Sequence, residues 1–223
     1  MAKTNPNLLL VEGKDEKYTI PGIMNHYVVW GDKESDRIVE IKNLDGVDEI
    51  LKPGVIEGYS KTPKLNALGI IIDANDSFDS RWILVSDRLR AVTEDFPDDI
   101  SEGGIVHQTA SGLRLGVWMM PDNRSRGMLE TFLGLLLRPD RTPLWNFARE
   151  SCDKASNYDG TYKPAHKDKS NIHTYLAWVD PPGCSLSVAI LQGLIDTTSP
   201  LANRFADWFI KHYSIDRREA SNG

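Results

Sequence analysis

Two short apolar runs, each closed by an acid, limit what this chain can fold into. Residues 7–12 read NLLLVE and are followed by Gly13; residues 67–73 read ALGIIID. Neither run alternates apolar with polar side chains, so neither suits a sheet with one wet face. A short, uninterrupted apolar run bounded by turn residues is a strand covered on both sides, as in a parallel sheet between helices. In both runs the chain leaves the apolar interior at a carboxylate, Glu12 or Asp73.

The remaining pattern fits that frame. Residues 14–26 predict a helix, with Pro21-Gly22 as a break or kink. Residues 37–42 (RIVEIK) alternate and predict a strand, 43–46 a turn, and 47–56 a short amphipathic helix. Trp82, Ile83, Val85, Leu89 and Val92 recur at helical spacing over 80–93. Residues 105–110 and 113–120 flank Ser111-Gly112, a hairpin signal. Leu129, Phe132, Leu133, Leu136 and Leu137 form a further helical stripe. Beyond Pro139 come short helical segments at 144–152, 172–179, 186–194 and 201–213, with a polar, loop-like stretch at 156–170. Strands alternating with helices predict an α/β fold with a mostly parallel sheet flanked by helices. The core is expected over residues 1–137, with residues 138–223 as a helical C-terminal elaboration packed on it.

Composition narrows the function. Of 223 residues, 26 are basic and 32 acidic, a net charge of −6, which excludes a general coating for nucleic acid but leaves local basic patches open. The acidic excess lies in residues 1–137, with 15 basic against 22 acidic side chains; residues 138–223 hold 11 and 10. Cys152 and Cys184 are too few for a disulfide framework or a four-cysteine zinc module. The start, MAKTNPNLLLVEGKDE, has only LLLV as an apolar stretch, and no run nears the ~18 residues of a membrane span. No membrane is expected, and the expected compartment is the cytoplasm.

In parallel α/β sheets, ligands bind beyond the carboxyl ends of the strands. Three acidic clusters fall there: Glu12 with Asp15 and Glu16; Asp73 with Asp76 and Asp79; and Asp122 after the strand ending in Met120. If those strands are parallel neighbours, the clusters share one rim. Crowded carboxylates repel, which raises their pKa values, and a hard divalent cation with oxygen ligands relieves that. Each acid alone reads equally as a turn former or helix cap. For Asp76 and Asp79, capping the helix that follows is the better reading; for Glu16, a solvated helical position stands beside a ligand role.

On these residues the chain resembles a Toprim domain, whose pattern is a Glu after the first strand, commonly followed by Gly, and a later Asp-x-Asp. Here they stand as Glu12-Gly13 and Asp73-Ala74-Asn75. The blocks at 9–15, 72–74, 118–123 and 173–178 resemble a small prokaryotic branch of Toprim-like proteins of unknown function, distantly similar to the overcoming-lysogenization-defect nucleases. The resemblance implies a Toprim-like, Rossmann-like fold. It implies Glu12 as metal ligand and general acid/base, Asp73 as metal ligand, and Mg²⁺ or Mn²⁺ as cofactor. Asn75 stands where the pattern has Asp; it can lend a carbonyl oxygen, but a charge is lost, and the duty could shift to Asp76, Glu16 or Asp122. Relatives that are primases carry a zinc module, topoisomerases a tyrosine-bearing domain, and the lysogenization-defect proteins an ATPase; this chain has no G-x-x-x-x-G-K-[ST] run.

The implied reaction is phosphodiester hydrolysis of DNA or RNA, with a separate ATPase or a second copy of the chain as candidate partners. The alternative is a non-catalytic module holding a cation, nucleotide or nucleic-acid end. A polyanionic substrate needs cations near the rim. Lys163, His166, Lys167 and Lys169, with Lys14, are candidates, and Lys169 and His173 are the expected catalytic pair; each also reads as part of a solvated loop or, for His173, as a partly buried histidine. Arg124 and Arg126 could contact phosphate or pair with nearby acids. The six tryptophans, one per segment, read as core packing rather than base stacking.

Overall fold

The computed structural model describes residues 5–31, 33 and 36–218. The two acid-ended runs form central strands, β1 (Asn7–Val11) and β3 (Ala67–Asp73). Among the described residues, β1, β2 (Glu40–Asn43), β3, β4 (Ile105–Gln108) and β5 (Arg114–Met120) make one sheet in the order β2-β1-β3-β5-β4. All neighbours are parallel except β4, which pairs antiparallel with β5 through the expected hairpin. The α/β class and the mostly parallel, Rossmann-like sheet are therefore as expected from the apolar pattern. From β1 the chain passes through α1 (Lys14–Met24) to β2 on one side, then returns to place β3 on the other. Its winding reverses between β1 and β3, which opens a crevice at their carboxyl ends.

Alternate residues of each strand enter separate cores. Leu9, Val11, Ile71, Trp118 and Met120 face α1 and the C-terminal helices. Leu8, Leu10, Leu68, Ile70, Ile72, Leu115, Val117 and Met119 face Trp82, Val85 and Leu89 of α4 (Phe78–Arg90), with Ile50 of α2 (Val47–Ile50) and Ile56 of α3 (Val55–Ser60). Each such fully buried side chain stabilises the fold by roughly 1.5–3 kcal/mol relative to exposure. On the first face lie α5 (Leu129–Leu135), α6 (Thr142–Ala155), α7 (Lys167–Leu176), α8 (Leu186–Leu191) and α9 (Pro200–Tyr213). Residues beyond 138 thus share one continuous core with β1, β3 and β5.

Two glycines let α9 lie close on the sheet. Gly69 and Gly116 are register partners in β3 and β5. A Cβ on Gly69 would lie 2.2 Å from the Tyr213 hydroxyl, and one on Gly116 would lie 2.6 Å from the His212 ring. Tyr213 Oη donates to the Leu8 carbonyl (3.1 Å) and Trp208 Nε1 to the Ile105 carbonyl (2.9 Å). His212 is fully buried and stacks on Trp208 at 5.8 Å; burial drives its pKa down to about 3, so it is neutral.

Several boundaries differ from the sequence expectation, and three changes bear on the architecture. The helix expected over 47–56 divides into α2 and α3 at Pro53-Gly54, where Pro53 lacks the N–H to continue the first helix and Gly54 takes the left-handed conformation (φ 85°). Pro21 remains inside α1 instead of ending it. The segment expected as helix over 172–179 begins earlier, as α7 at Lys167, so Lys169 is helical rather than part of a preceding loop. The first turn of α7 is mostly exposed and carries no apolar signal, while Asp168 there is favoured by the helix dipole. Among the tryptophans, Trp30, Trp82, Trp118 and Trp208 are buried as expected of core residues, whereas Trp178 is exposed and stacks on Phe147. Among the described residues, no helix is long and apolar enough to cross a membrane.

Candidate functional site

The site begins with the pairing of β1 and β3, which sets the residue after one strand beside the last residue of the other. Glu12 follows β1, and its Oε1 accepts the Asp73 backbone N–H at 2.7 Å. Asp73 closes β3, and its Oδ1 accepts the N–H of Leu129, the first residue of α5, at 3.1 Å. A free amide of the α5 N-terminus is thereby satisfied by a carboxylate, which the helix dipole favours. The loop after β3 holds α5 in place: Asn75, at φ 52°, exchanges two backbone hydrogen bonds with Gly127, at 2.7 and 2.9 Å.

Two further acids close on this pair. Glu16, in the first turn of α1, is buried; its Oε2 lies so near Gly13 that a Cβ there would sit 2.8 Å away. Glu130, in the first turn of α5, is 3% exposed and pairs with Lys169 Nζ of α7 at 3.2 Å. A second tie joins the same helices, where Thr131 Oγ1 donates to Asp168 at 2.6 Å.

Electrostatics follow from burial and crowding. Burial, and then the charges of Glu16 and Asp48, push the Glu12 carboxyl up to about 7 against the opposing pull of the Asp73 N–H and Arg81. Asp73 is raised well above the ordinary carboxylate range by burial and then by Glu12, Glu16 and Glu130. Glu16 is raised by burial, with Glu130 and Asp15 adding to it. Burial works against the charge on Lys169, yet Glu130, with Asp15 and Asp73 behind it, holds its pKa above the usual lysine value. Near neutral pH such a group of carboxyls either retains protons or takes up a cation.

Of the site residues expected from the sequence, the fold brings together Glu12, Glu16, Asp73 and Lys169. Asn75 lies on the same loop, with its backbone committed to Gly127. Asp76 is exposed. Asp122 lies beyond the carboxyl end of β5, but its carboxylate is engaged in its own turn, accepting from Arg124 N (3.1 Å), Ser125 N (2.7 Å) and Ser125 Oγ (3.0 Å). Arg124 pairs with Glu102. His173 is exposed one helical turn past Lys169, on the same face of α7. Lys167 pairs with Asp153 at 2.5 Å.

Glu130 and Arg81 were not anticipated. Glu130 is adjacent in sequence to an apolar helical stripe and reads as an ordinary solvated acid. Arg81 carried a usable signal: it stands near the N-terminus of α4, where a cation opposes the helix dipole.

Among the described residues, no three His, Cys, Asp or Glu side chains are set to hold an ion between them. What remains is the Glu12–Asp73 pair, in which Glu12 Oε2 and Asp73 Oδ2 accept no protein hydrogen bond among those residues. Two hard, anionic oxygen donors with further positions left to water fit Mg²⁺ or Mn²⁺, since Mg²⁺ is commonly held by one or two carboxylates and keeps several waters. They do not make the all-protein cage of a structural zinc or calcium site.

A family model described as a protein of unknown function (DUF3226) matches residues 6–214. No curated protein matches the chain, and no solved structure does.

Proposed function

For this chain, which belongs to the DUF3226 family, we propose metal-dependent hydrolysis of phosphodiester bonds in nucleic acid at Glu12 and Asp73. The observation that carries this reading is the meeting of two strand-end carboxyls where the sheet reverses its winding, with Glu12 Oε1 on the Asp73 N–H at 2.7 Å. The same two residues carry the Toprim resemblance, so the reading and the resemblance stand together. Mg²⁺ or Mn²⁺ bound by the pair supplies polarisation of a phosphoryl oxygen and a lowered pKa for a water. Glu12 would hold the ion through Oε2; with its carboxyl near 7 in the metal-free site, it would give up a proton as the ion binds and suits acid/base exchange at neutral pH when the ion is absent. Asp73 is fixed by the α5 N-terminus, and Lys169 holds Glu130 behind it. His173, exposed one turn past Lys169 on the same face of α7, is the candidate for a substrate contact beside it. With unpaired cysteines, the reaction belongs in a reducing cytoplasm.

A second reading, a non-catalytic module that holds a cation or nucleic-acid end, is favoured by one observation: Asn75 provides no charge where Asp would support a second ion. Purified protein incubated with plasmid, single-stranded DNA and RNA, with and without Mn²⁺, separates the two. Hydrolysis is expected only with the ion and not in Glu12→Ala. Cleavage that persists in Glu12→Ala, or none in the wild type, overturns the enzymatic reading.

A further inference from the structure

We propose that Arg81 binds a phosphate of the nucleic acid at the carboxylate rim, through a guanidinium that has no hydrogen-bond or ion-pair partner for its side chain among the described residues. This rests on the reading of Glu12 and Asp73 as a phosphodiester site and assigns that site its anion-binding residue.

The argument starts from where α4 begins. β3 ends at Asp73, and Ser77 caps α4, its Oγ accepting the Ser80 N–H at 3.3 Å. Arg81 follows in the next position, its N–H donating to the Ser77 carbonyl at 3.1 Å. This turn stands at the carboxyl end of β3, the end occupied by Glu12. The Arg81 charge is felt at the Glu12 carboxyl. Even so, among the described residues Arg81 forms no ion pair with Glu12, Asp73 or any other acid. Its Nε is sealed from solvent and meets no acceptor.

That combination has few structural explanations. A buried N–H without an acceptor is unfavourable, and a cation near a helix N-terminus opposes the dipole. A guanidinium serving only stability would be expected to reach a carboxylate or carbonyl, as Arg88 does when its Nε donates to the Leu51 carbonyl at 2.7 Å. Of the other rim cations, Lys169 is already committed to Glu130, and Lys14 is an exposed ammonium at the start of α1 that can offer only a point charge. Arg81 is therefore the rim guanidinium with donors to offer, and its two Nη groups, rather than the sealed Nε, match two oxygens of a phosphate. α4 packs on the opposite face of the sheet from α7, so Arg81 and Lys169 flank the carboxyls from two sides.

The test measures binding without requiring cleavage. A short fluorescein-labelled single-stranded DNA and an RNA of the same sequence are titrated with protein in Ca²⁺, and affinity is followed against salt. Arg81→Met is expected to bind about tenfold more weakly or worse, and the slope of log affinity against log salt is expected to fall by about one. A purely structural role would not change that slope. Arg81→Lys keeps the charge but loses the fork; it is expected to retain the wild-type slope with weakened affinity. If Arg81→Met fails to fold, Arg81→Lys decides alone. Either variant binding with wild-type affinity overturns the proposal. Weakened binding in the variants, with no Mn²⁺-dependent cleavage by wild type, upholds Arg81 and removes hydrolysis. Wild-type protein that binds neither polymer removes both.

Discussion

Replacing Glu12 by Gln should make the metal-free protein more stable near neutral pH, although Glu12 ties two central strands together. The substitution keeps an acceptor at Oε1 for the Asp73 N–H, now at 2.7 Å, so the tie between β1 and β3 survives. What disappears is a charge. Burial first, and then Glu16 and Asp48, raise the Glu12 carboxyl from 4.5 to about 7. The folded state then keeps a proton that the unfolded chain has released. The stabilising contribution is complete below the unfolded pKa, near 4.5, and is lost as pH rises through the folded one, near 7. A rise of that size, at ~1.4 kcal/mol per pH unit, is on the order of 3 kcal/mol. Asp73 shifts in the same direction, so it adds to the decline of wild-type stability as pH rises above its unfolded value of 3.8. Urea denaturation in EDTA at several values from about pH 5 to about pH 8 measures the effect. The Gln variant should match wild type at the acid end and exceed it by about 3 kcal/mol at the alkaline end. Added Mn²⁺ should reverse the order, because it stabilises only the protein that retains the carboxylate. A variant less stable than wild type at the alkaline end in EDTA, or two parallel curves, would refute the electrostatic account of the site.

Other substitutions test the supports of the site. Lys169→Met leaves Glu130, 3% exposed, without its cation; because the ammonium is half in solvent, the loss should be about 1–2 kcal/mol rather than that of a fully buried pair. Adding Glu130→Gln should recover most of it, and denaturant melts of the single and double variants check this. Gly116→Ala places a Cβ 2.6 Å from the His212 ring and should cost about 2 kcal/mol; combined with His212→Ala, the loss in thermal melts should be smaller than the two single losses together.

The parts of this protein legible in its sequence are those in which a local pattern reports local burial. The 67–73 run matches β3 residue for residue, because a strand covered on both faces has no polar position to interrupt it. The stripe of Trp82, Val85 and Leu89 marks α4 for the same reason. Where solvent covers an element the signal vanishes: the first turn of α7 is written in polar residues, and Lys169 therefore read as loop. The division of α2 from α3 is written in the Pro53-Gly54 dipeptide rather than in any apolar periodicity.

The site separates the two kinds of information more sharply. Glu12 and Asp73 are visible in the chain as the acids that end apolar runs, because a carboxylate is a natural exit from a buried strand to water. Their meeting depends on β3 lying beside β1, a matter of strand order. Asp122 also follows a strand on the same rim, yet its oxygens are taken by the amides of its own turn. Glu130 arrives only because Asp73 receives the α5 N-terminus, and Arg81 only because α4 starts at the same end of the sheet from the opposite face. Apolar periodicity dictated which segments are buried. Which further charges face that pair was decided by long-range packing, since Coulomb and hydrogen-bond partners are set by proximity in space, and residues 81 and 130 carry no sequence pattern that places them beside residues 12 and 73.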